Sequence, residues 1–216
     1  MRAMILSAGL GTRMRPLTNH TPKPLLNVGG KPLIVWHIER LREAGFVDIV
    51  INVAYLGNQI IEYLGDGSKY GVNIKFSDEQ KEGGLETAGG IIKALPLLSD
   101  TFLVINGDIW TDYRYNNQFQ LYNDILAHLI LIDNPPHHPN GDFRLDKTEQ
   151  KYTFSGIGYY SKKLFEGLEY GKRALAPLLF QAIENKVLTT EYYSGKWYDI
   201  GTPQRLALLD NQLKNQ

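Results

Sequence analysis

Arg13, Arg15 and Lys23 follow close behind Gly9 and Gly11 in the stretch MILSAGLGTRMRPLTNHTPKPLL, which begins at Met4. The stretch opens as an apolar run, stops at Ser7 and turns into a glycine-broken loop. Gly9 and Gly11 admit backbone conformations closed to other residues and let amide N–H groups approach an oxygen-rich ligand. Arg13 offers a forked set of donors suited to phosphate oxygens. Lys23, between Pro22 and Pro24, sits on a stiff, extended segment that limits where its ammonium points. Together these residues read as a phosphate cradle, although one loop arginine taken alone is more often a solvated cation. Two familiar phosphate motifs fail. The dinucleotide fingerprint G-x-G-x-x-G needs a glycine where Met14 stands, and the Walker pattern G-x-x-x-x-G-K-[ST] is absent.

A phosphate ligand often arrives with Mg²⁺, which prefers a few carboxylates plus phosphate oxygens to an all-protein cage. TFLVINGDIW ends an apolar run with Asn106, Gly107 and Asp108, and KWYDIGTP places Asp199 after another, just before a Gly-Thr-Pro helix start. Each aspartate also has a plainer reading, a turn residue for Asp108 and an Asx-type cap for Asp199. His137 and His138 invite a metal reading. Adjacent histidines rarely ligate one ion, no cysteine supports them, and His20, His37 and His128 share no ligand spacing with them. The pair is expected to touch substrate or solvent instead. Tyr192, Tyr193, Trp197 and Tyr198 offer stacking faces, with packing the expected role for most of them.

These groups need elements to hold them. Runs at 3–8, 48–53, 72–77, 101–107 and 126–133 read as strands, rich in Val and Ile and bounded by Gly or Asp. Between them, residues 32–45 place Ile34, Ile38, Leu41 and Ala44 on one helical face, and 58–65 and 87–98 predict shorter helices. Such alternation implies a mostly parallel α/β sheet covered on both faces, with ligands gathering beyond the C-terminal strand ends. The loop from Ala8 to Arg15 lies at that edge. In the second half, 151–161 reads as a strand and 174–186 as a helix with Pro177 in its first turn. Thr202 and Pro203 start a closing helix. No linker or repeat divides the 216 residues, so one domain is expected. Lys+Arg and Asp+Glu are both 23, which argues against nucleic acid or an acidic membrane as a main partner. The absence of cysteine excludes disulfides and thiolate chemistry and suits a cytoplasmic protein.

The string from Gly9 through Pro32 closely resembles the signature of the sugar-1-phosphate nucleotidylyltransferases, G-x-G-T-R-x-x-P-L-T followed by P-K-P-L and K-P. Gly9, Gly11, Thr12, Arg13, Pro16, Leu17, Thr18, Pro22, Lys23, Pro24, Leu25, Lys31 and Pro32 all fit it. The resemblance implies a Rossmann-like (GT-A-like) mixed, mostly parallel sheet in a single domain over 1–216, without the C-terminal β-helix of some relatives. It implies a Mg²⁺ held by Asp108 and Asp199, and Arg13 and Lys23 as catalytic groups. Leu6, Ala8, Gly9, Gly11, Thr12, Arg13, Gly84 and Asn106 are the implied nucleotide contacts, and Lys23, Asp142 and Gly156 the implied contacts to the sugar phosphate. GGLETAGG resembles the segment that meets the base, with Glu86 where most relatives carry glycine. Glu79 and Gln80 compete for a polar contact to the base. IDNP stands where relatives often carry E-K-P, so no sugar-phosphate lysine carries over there. Arg144, Lys172 and Arg173 are candidates for an additional anion by location alone.

With NGDIWTDY, GDFRL, TFSGI and LAPLL, the resemblance narrows to the N-acetylmuramate α-1-phosphate uridylyltransferases of bacterial cell-wall recycling. That subgroup implies UTP and N-acetylmuramate 1-phosphate as substrates and a monomer or weak dimer. Guanylyl transfer to mannose 1-phosphate and thymidylyl transfer to glucose 1-phosphate are the rivals, with a silent nucleotide-sugar sensor more distant.

Overall fold

Alternate side chains of the first strand point into two different cores, which is why its sequence is apolar from Ala3 to Leu6. Ala3 and Ile5 join one cluster and Met4 the other. The structure, a computed structural model, describes residues 1–145 and 149–215. In chain order the elements are β1 (Arg2–Leu6), β2 (Asn27–Val28), β3 (Lys31–Pro32), α1 (Leu33–Glu43), β4 (Asp48–Val53), α2 (Gly57–Leu64), β5 (Asn73–Asp78), α3 (Glu86–Ala94), β6 (Thr101–Asn106) and β7 (Ile109–Thr111). They continue with β8 (Ala127–Ile132), β9 (Phe143–Arg144), β10 (Lys151–Ser161), α4 (Ala176–Glu184), β11 (Leu188–Tyr192), β12 (Trp197–Asp199) and α5 (Pro203–Lys214).

The main sheet runs β11-β8-β10-β6-β1-β4-β5, with β9 beside β10. All pairings along it are parallel except the two that β10 makes with β6 and β8. The sheet is therefore mixed and mostly parallel. Helices α1 and α2 bury Ile34, Ile38, Leu41, Ile60 and Leu64 on one face. Helices α3 and α4 bury Ala88, Ile91, Leu179 and Ala182 on the other. A third cluster, of Met14, Leu26, Val28, Leu33, Trp110, Ile200 and Leu209, joins the N-terminal loop to α5.

Where the helices start and stop follows local chemistry. Thr202 caps α5, its hydroxyl accepting from the Arg205 N–H at 3.3 Å, with Pro203 in the first helical position. Pro177 sits in the first turn of α4. Helix α3 ends at Ala94 and tightens into a 3₁₀ turn over Leu95–Leu97, sooner than the apolar pattern predicts, because Pro96 cannot continue it. The short ribbons β2–β3 and β7–β12, the pair β9–β10 and the edge strand β11 have no counterpart in the sequence reading. Two- or three-residue strands are too short to display a period, and β11 is mostly Thr, Glu and Tyr.

Candidate active site

Strand β1 delivers the chain to Ser7 at the C-terminal edge of the sheet, where the glycine loop begins. Gly11 takes φ 61° and opens a 3₁₀ turn over Thr12–Met14. Thr18, wholly buried, donates its hydroxyl to the Gly11 carbonyl at 2.7 Å and so pins the loop from beneath. A Cβ on Gly11 would already stand 3.0 Å from the Thr18 methyl. Met14 anchors the far end in the third cluster. Lys23 opens a second 3₁₀ turn, over Lys23–Leu25, preceded by Pro22 and followed by Pro24. Its side chain is 11% exposed, and its ammonium donates to Asp108 Oδ2 at 2.9 Å.

Asp108 reaches Lys23 because Gly107 permits a tight approach. The Gly107 N–H donates to the Leu6 carbonyl at 2.9 Å, and a Cβ there would lie 2.6 Å from the same oxygen. Gly156 does the same for Asn106. It takes φ 82° within the bulged stretch of β10, between Phe154 and Gly158, and a Cβ on it would stand 2.6 Å from the Asn106 side-chain nitrogen. Asp199 arrives through the β7–β12 ribbon, where it pairs with Ile109, and the Ile200 N–H donates to the Asp108 carbonyl at 2.9 Å. Asp108, just before β7, and Asp199, at the end of its partner β12, thus meet at one end of the ribbon. Asp199 is held by Arg205 and lies 3.1 Å from His137 Nε2.

The opposite end is built on Glu79, which is fully buried. Its two carboxyl oxygens accept from the Asn52 amide and the Leu85 N–H, both at 2.8 Å. Asn52 in turn accepts from the Ser7 N–H at 2.7 Å, so one network ties the glycine loop to the segment before α3. Glu82 braces that segment from outside, its carboxyl held down to about 2 by hydrogen bonds from Lys93 and Tyr170. Residues 171–173 dock on it as well, the Arg173 N–H donating to the Leu85 carbonyl at 2.9 Å and the Gly89 N–H to the Arg173 carbonyl at 3.1 Å. Gly83 and Gly84 take positive φ, and so does Glu86, at 60°. For a non-glycine residue that region costs on the order of 1 kcal/mol.

A cleft of about 460 Å³ runs between these ends. Leu6, Ala8, Gly9, Gly11, Thr12, Arg13, Lys23, Gly84, Asn106 and Asp108 all line it. So do Ser7, Asn52, Glu86 and Lys172. Asp199, Gly156 and Asp142 are not in its wall. Asp199 stands beside Asp108, and Gly156 backs Asn106. Both oxygens of Asp142 are engaged, by His138 Nε2 at 2.9 Å and by the Phe154 N–H at 2.8 Å. The histidine pair therefore touches two carboxylates, one residue each. Neither Glu79 nor Gln80 lines the cleft. Glu79 is spent on the network beneath it, and the Gln80 amide bonds Asn58 and Asp78. Sequence spacing does not show which way each side chain turns. Of the additional cations, Lys172 alone joins the wall, and Arg144 pairs with Glu149 at 3.2 Å.

Trp110 packs against Tyr198 and Trp36, and Tyr193 against Tyr113, so these rings serve packing. Among the described residues no cluster of three or more His, Asp or Glu side chains forms a metal cage. Asp108 and Asp199 stand side by side at the sheet edge, and a pair of carboxylates is the donor set that would suit a Mg²⁺ shared with phosphate oxygens.

A profile of the nucleotidyl transferase family matches residues 2–151. The N-acetylmuramate α-1-phosphate uridylyltransferase of Neisseria meningitidis serogroup B is 52% identical, over 95% of this chain and 95% of its own. The mannose-1-phosphate guanyltransferase of Schizosaccharomyces pombe is 31% identical over 94% of this chain, which spans 62% of that longer protein. Among solved structures, a Bacillus anthracis protein described as a glucose-1-phosphate thymidylyltransferase superposes with a TM-score of 0.85 over 100% of this chain and 96% of its own. At 23% identity, that likeness bears on the fold alone.

Proposed function

The chain belongs to the nucleotidyl transferase family, and from that premise we propose that it transfers a uridylyl group from UTP to N-acetylmuramate α-1-phosphate. The products are UDP-N-acetylmuramate and pyrophosphate, and the setting is the recycling of bacterial cell wall. The observation that carries this reading is the junction of Lys23 with Asp108. A nearly buried ammonium, fixed by a carboxylate at 2.9 Å, stands where the glycine loop meets the end of β6. The extensive likeness to a uridylyltransferase acting on this sugar phosphate supports the choice of substrates.

The reaction needs little proton chemistry. A phosphate oxygen of the sugar attacks the α-phosphorus of UTP, a new P–O bond forms, and the bond to the β-phosphate oxygen breaks as pyrophosphate leaves. The nucleophile is already anionic near neutral pH, so no general base is required. The protein's task is to hold two mutually repelling anions in line and to neutralise charge where it develops. Gly9, Gly11 and Thr12 present backbone donors to the triphosphate, and Arg13 meets the departing pyrophosphate. Lys23 serves the α-phosphate and the incoming sugar phosphate together. Leu6, Ala8 and Gly84 bound the nucleoside. Asn106 meets the nucleotide, Gly156 behind it bounds the sugar side, and Asp142, steadied by His138, borders that side too. Asp108 and Asp199 would hold Mg²⁺, which when bound withdraws charge from phosphate oxygens.

We assign this activity to one catalytic domain over 1–216, working in the cytoplasm as a monomer or weak dimer. No helix among the described residues is long and apolar enough to cross a membrane. The test is pyrophosphate release with Mg²⁺, pairing UTP with N-acetylmuramate 1-phosphate. Controls are UTP with N-acetylglucosamine 1-phosphate, GTP with mannose 1-phosphate, and dTTP with glucose 1-phosphate. Preference for the first pair supports the reading. Preference for another pair keeps the chemistry and changes the substrate, and silence with every pair favours a non-catalytic sensor.

A further inference from the structure

The charged side chains lining the cleft, among the described residues, are Arg13, Lys23, Glu86, Asp108 and Lys172. Arg13, Lys23 and Asp108 stand at the phosphate end. Glu86 and Lys172 stand with Gly83, Gly84 and Thr87 at the other, and the phosphate roles proposed above use neither. Their ion pair is loose, with 3.8 Å between Lys172 Nζ and Glu86 Oε1 and side chains 69% and 47% exposed. A pair so exposed adds little to stability. Glu86 also holds φ at 60°, a conformation that glycine adopts without penalty. Neither the backbone nor the ion pair accounts for a glutamate here. Both residues rise from anchored backbone, since the Arg173 N–H is bonded to the Leu85 carbonyl and the Gly89 N–H to the Arg173 carbonyl. The cleft is thereby offered one acceptor and one donor side by side.

We infer that Glu86 and Lys172 together read the edge of the nucleotide base, Glu86 accepting an N–H and Lys172 donating to the neighbouring carbonyl oxygen. The inference rests on the uridylyl-transfer reading and deepens it. Uracil presents N3–H beside O4 and satisfies both groups. Cytosine presents an N3 lone pair beside an amino group, setting acceptor against acceptor and donor against donor. Sites built to hydrogen-bond a group reject analogues that leave their polar atoms unpaired far more strongly than apolar pockets reject a changed shape. Guanine carries the same N–H-beside-carbonyl edge, so the pair filters keto from amino bases and does not separate pyrimidine from purine.

The test is calorimetric titration of the whole chain with UTP and with CTP, in Mg²⁺ and without sugar phosphate. The wild type is expected to bind UTP at least tenfold more tightly. Glu86→Gln and Lys172→Leu are each expected to cut that ratio about tenfold, the scale of one charge-assisted hydrogen bond. Glu86→Gly, which relieves the backbone, should lose the ratio without losing stability, and it keeps the test open if Glu86→Gln folds poorly. Lys23→Ala should weaken both nucleotides alike. A wild-type ratio near one, or an unchanged ratio in Glu86→Gly and Lys172→Leu, overturns the inference. Turnover measured in parallel separates the two claims. Base selection through Glu86 and Lys172 without N-acetylmuramate 1-phosphate turnover loses only the sugar assignment, and uridylyl transfer with an unmoved ratio loses only the base reader. Binding of neither nucleotide sinks both.

Discussion

Lys23 is constrained twice, by two prolines in the backbone and by Asp108 at its tip. That double constraint is what a preorganised electrostatic catalyst needs, because the charge is already in place when the transition state forms. Lys23→Ala is expected to lower the rate of pyrophosphate release about a hundredfold or more, and Asp108→Asn to do the same. Lys23→Arg should not rescue it, since a planar guanidinium cannot occupy the site of a compact ammonium wedged against one carboxylate oxygen. Near-wild-type turnover in Lys23→Ala or Asp108→Asn would remove both residues from the chemistry. The residue scale also explains a glycine with no catalytic part. Gly107 must lack a Cβ for Asp108 to arrive at all.

At the scale of elements, the segment before α3 is held by Glu79 on one side and by residues 171–173 on the other. Glu79→Gln keeps the size but sets an amide N–H₂ against one of two N–H donors. A loss of about 1–3 kcal/mol in unfolding free energy is expected. KM for UTP should rise more than kcat falls, because the proposed reading sets the displaced segment against the nucleoside and away from the reacting phosphorus. Helix α1 meets β7 through His37, where burial, partly offset by a hydrogen bond to the Ile109 backbone, pushes the imidazole down from 6.5 to about 4. With the folded-state pKa depressed, the unfolded chain takes up the proton first as pH falls. The stability linked to His37 is therefore intact above pH 6.5 and lost progressively towards pH 4, about 3 kcal/mol in all. Urea midpoints measured between pH 7 and pH 4 should fall accordingly, and the slope should flatten in His37→Gln.

For the whole molecule, the notable contact joins the two ends of the chain. Helix α5 buries Leu209 against the cluster that holds Met14 of the glycine loop, and the same helix carries Arg205 to Asp199. The Gly29 N–H donates to Asp210 at 2.8 Å, fastening α5 to the β2–β3 hairpin. Leu209→Ala should cost about 2–5 kcal/mol of stability, as expected for emptying a fully buried leucine site. Chemical denaturation checks the figure, and an unchanged midpoint would mean that α5 only rests on the surface.

The local elements were legible in the sequence because they depend on period and punctuation. Alternating apolar runs, Thr202 with Pro203, and Pro177 fix where strands and helices begin whatever surrounds them. The glycine loop and the Asn106–Asp108 turn were legible for a similar reason, since each motif is contiguous. Three things depended on the tertiary fold. The neighbouring positions of Asp108 and Asp199 needed the β7–β12 ribbon, whose strands are too short to announce themselves. The burial of Glu79, while its neighbour Gln80 turns to Asn58 and Asp78, needed Asn52 and Leu85 brought from separate segments. The meeting of Lys172 with Glu86 needed a loop from the second half of the chain to dock on α3. Sequence records which groups are available, whereas direction and partnership arise only when distant segments exclude water between them.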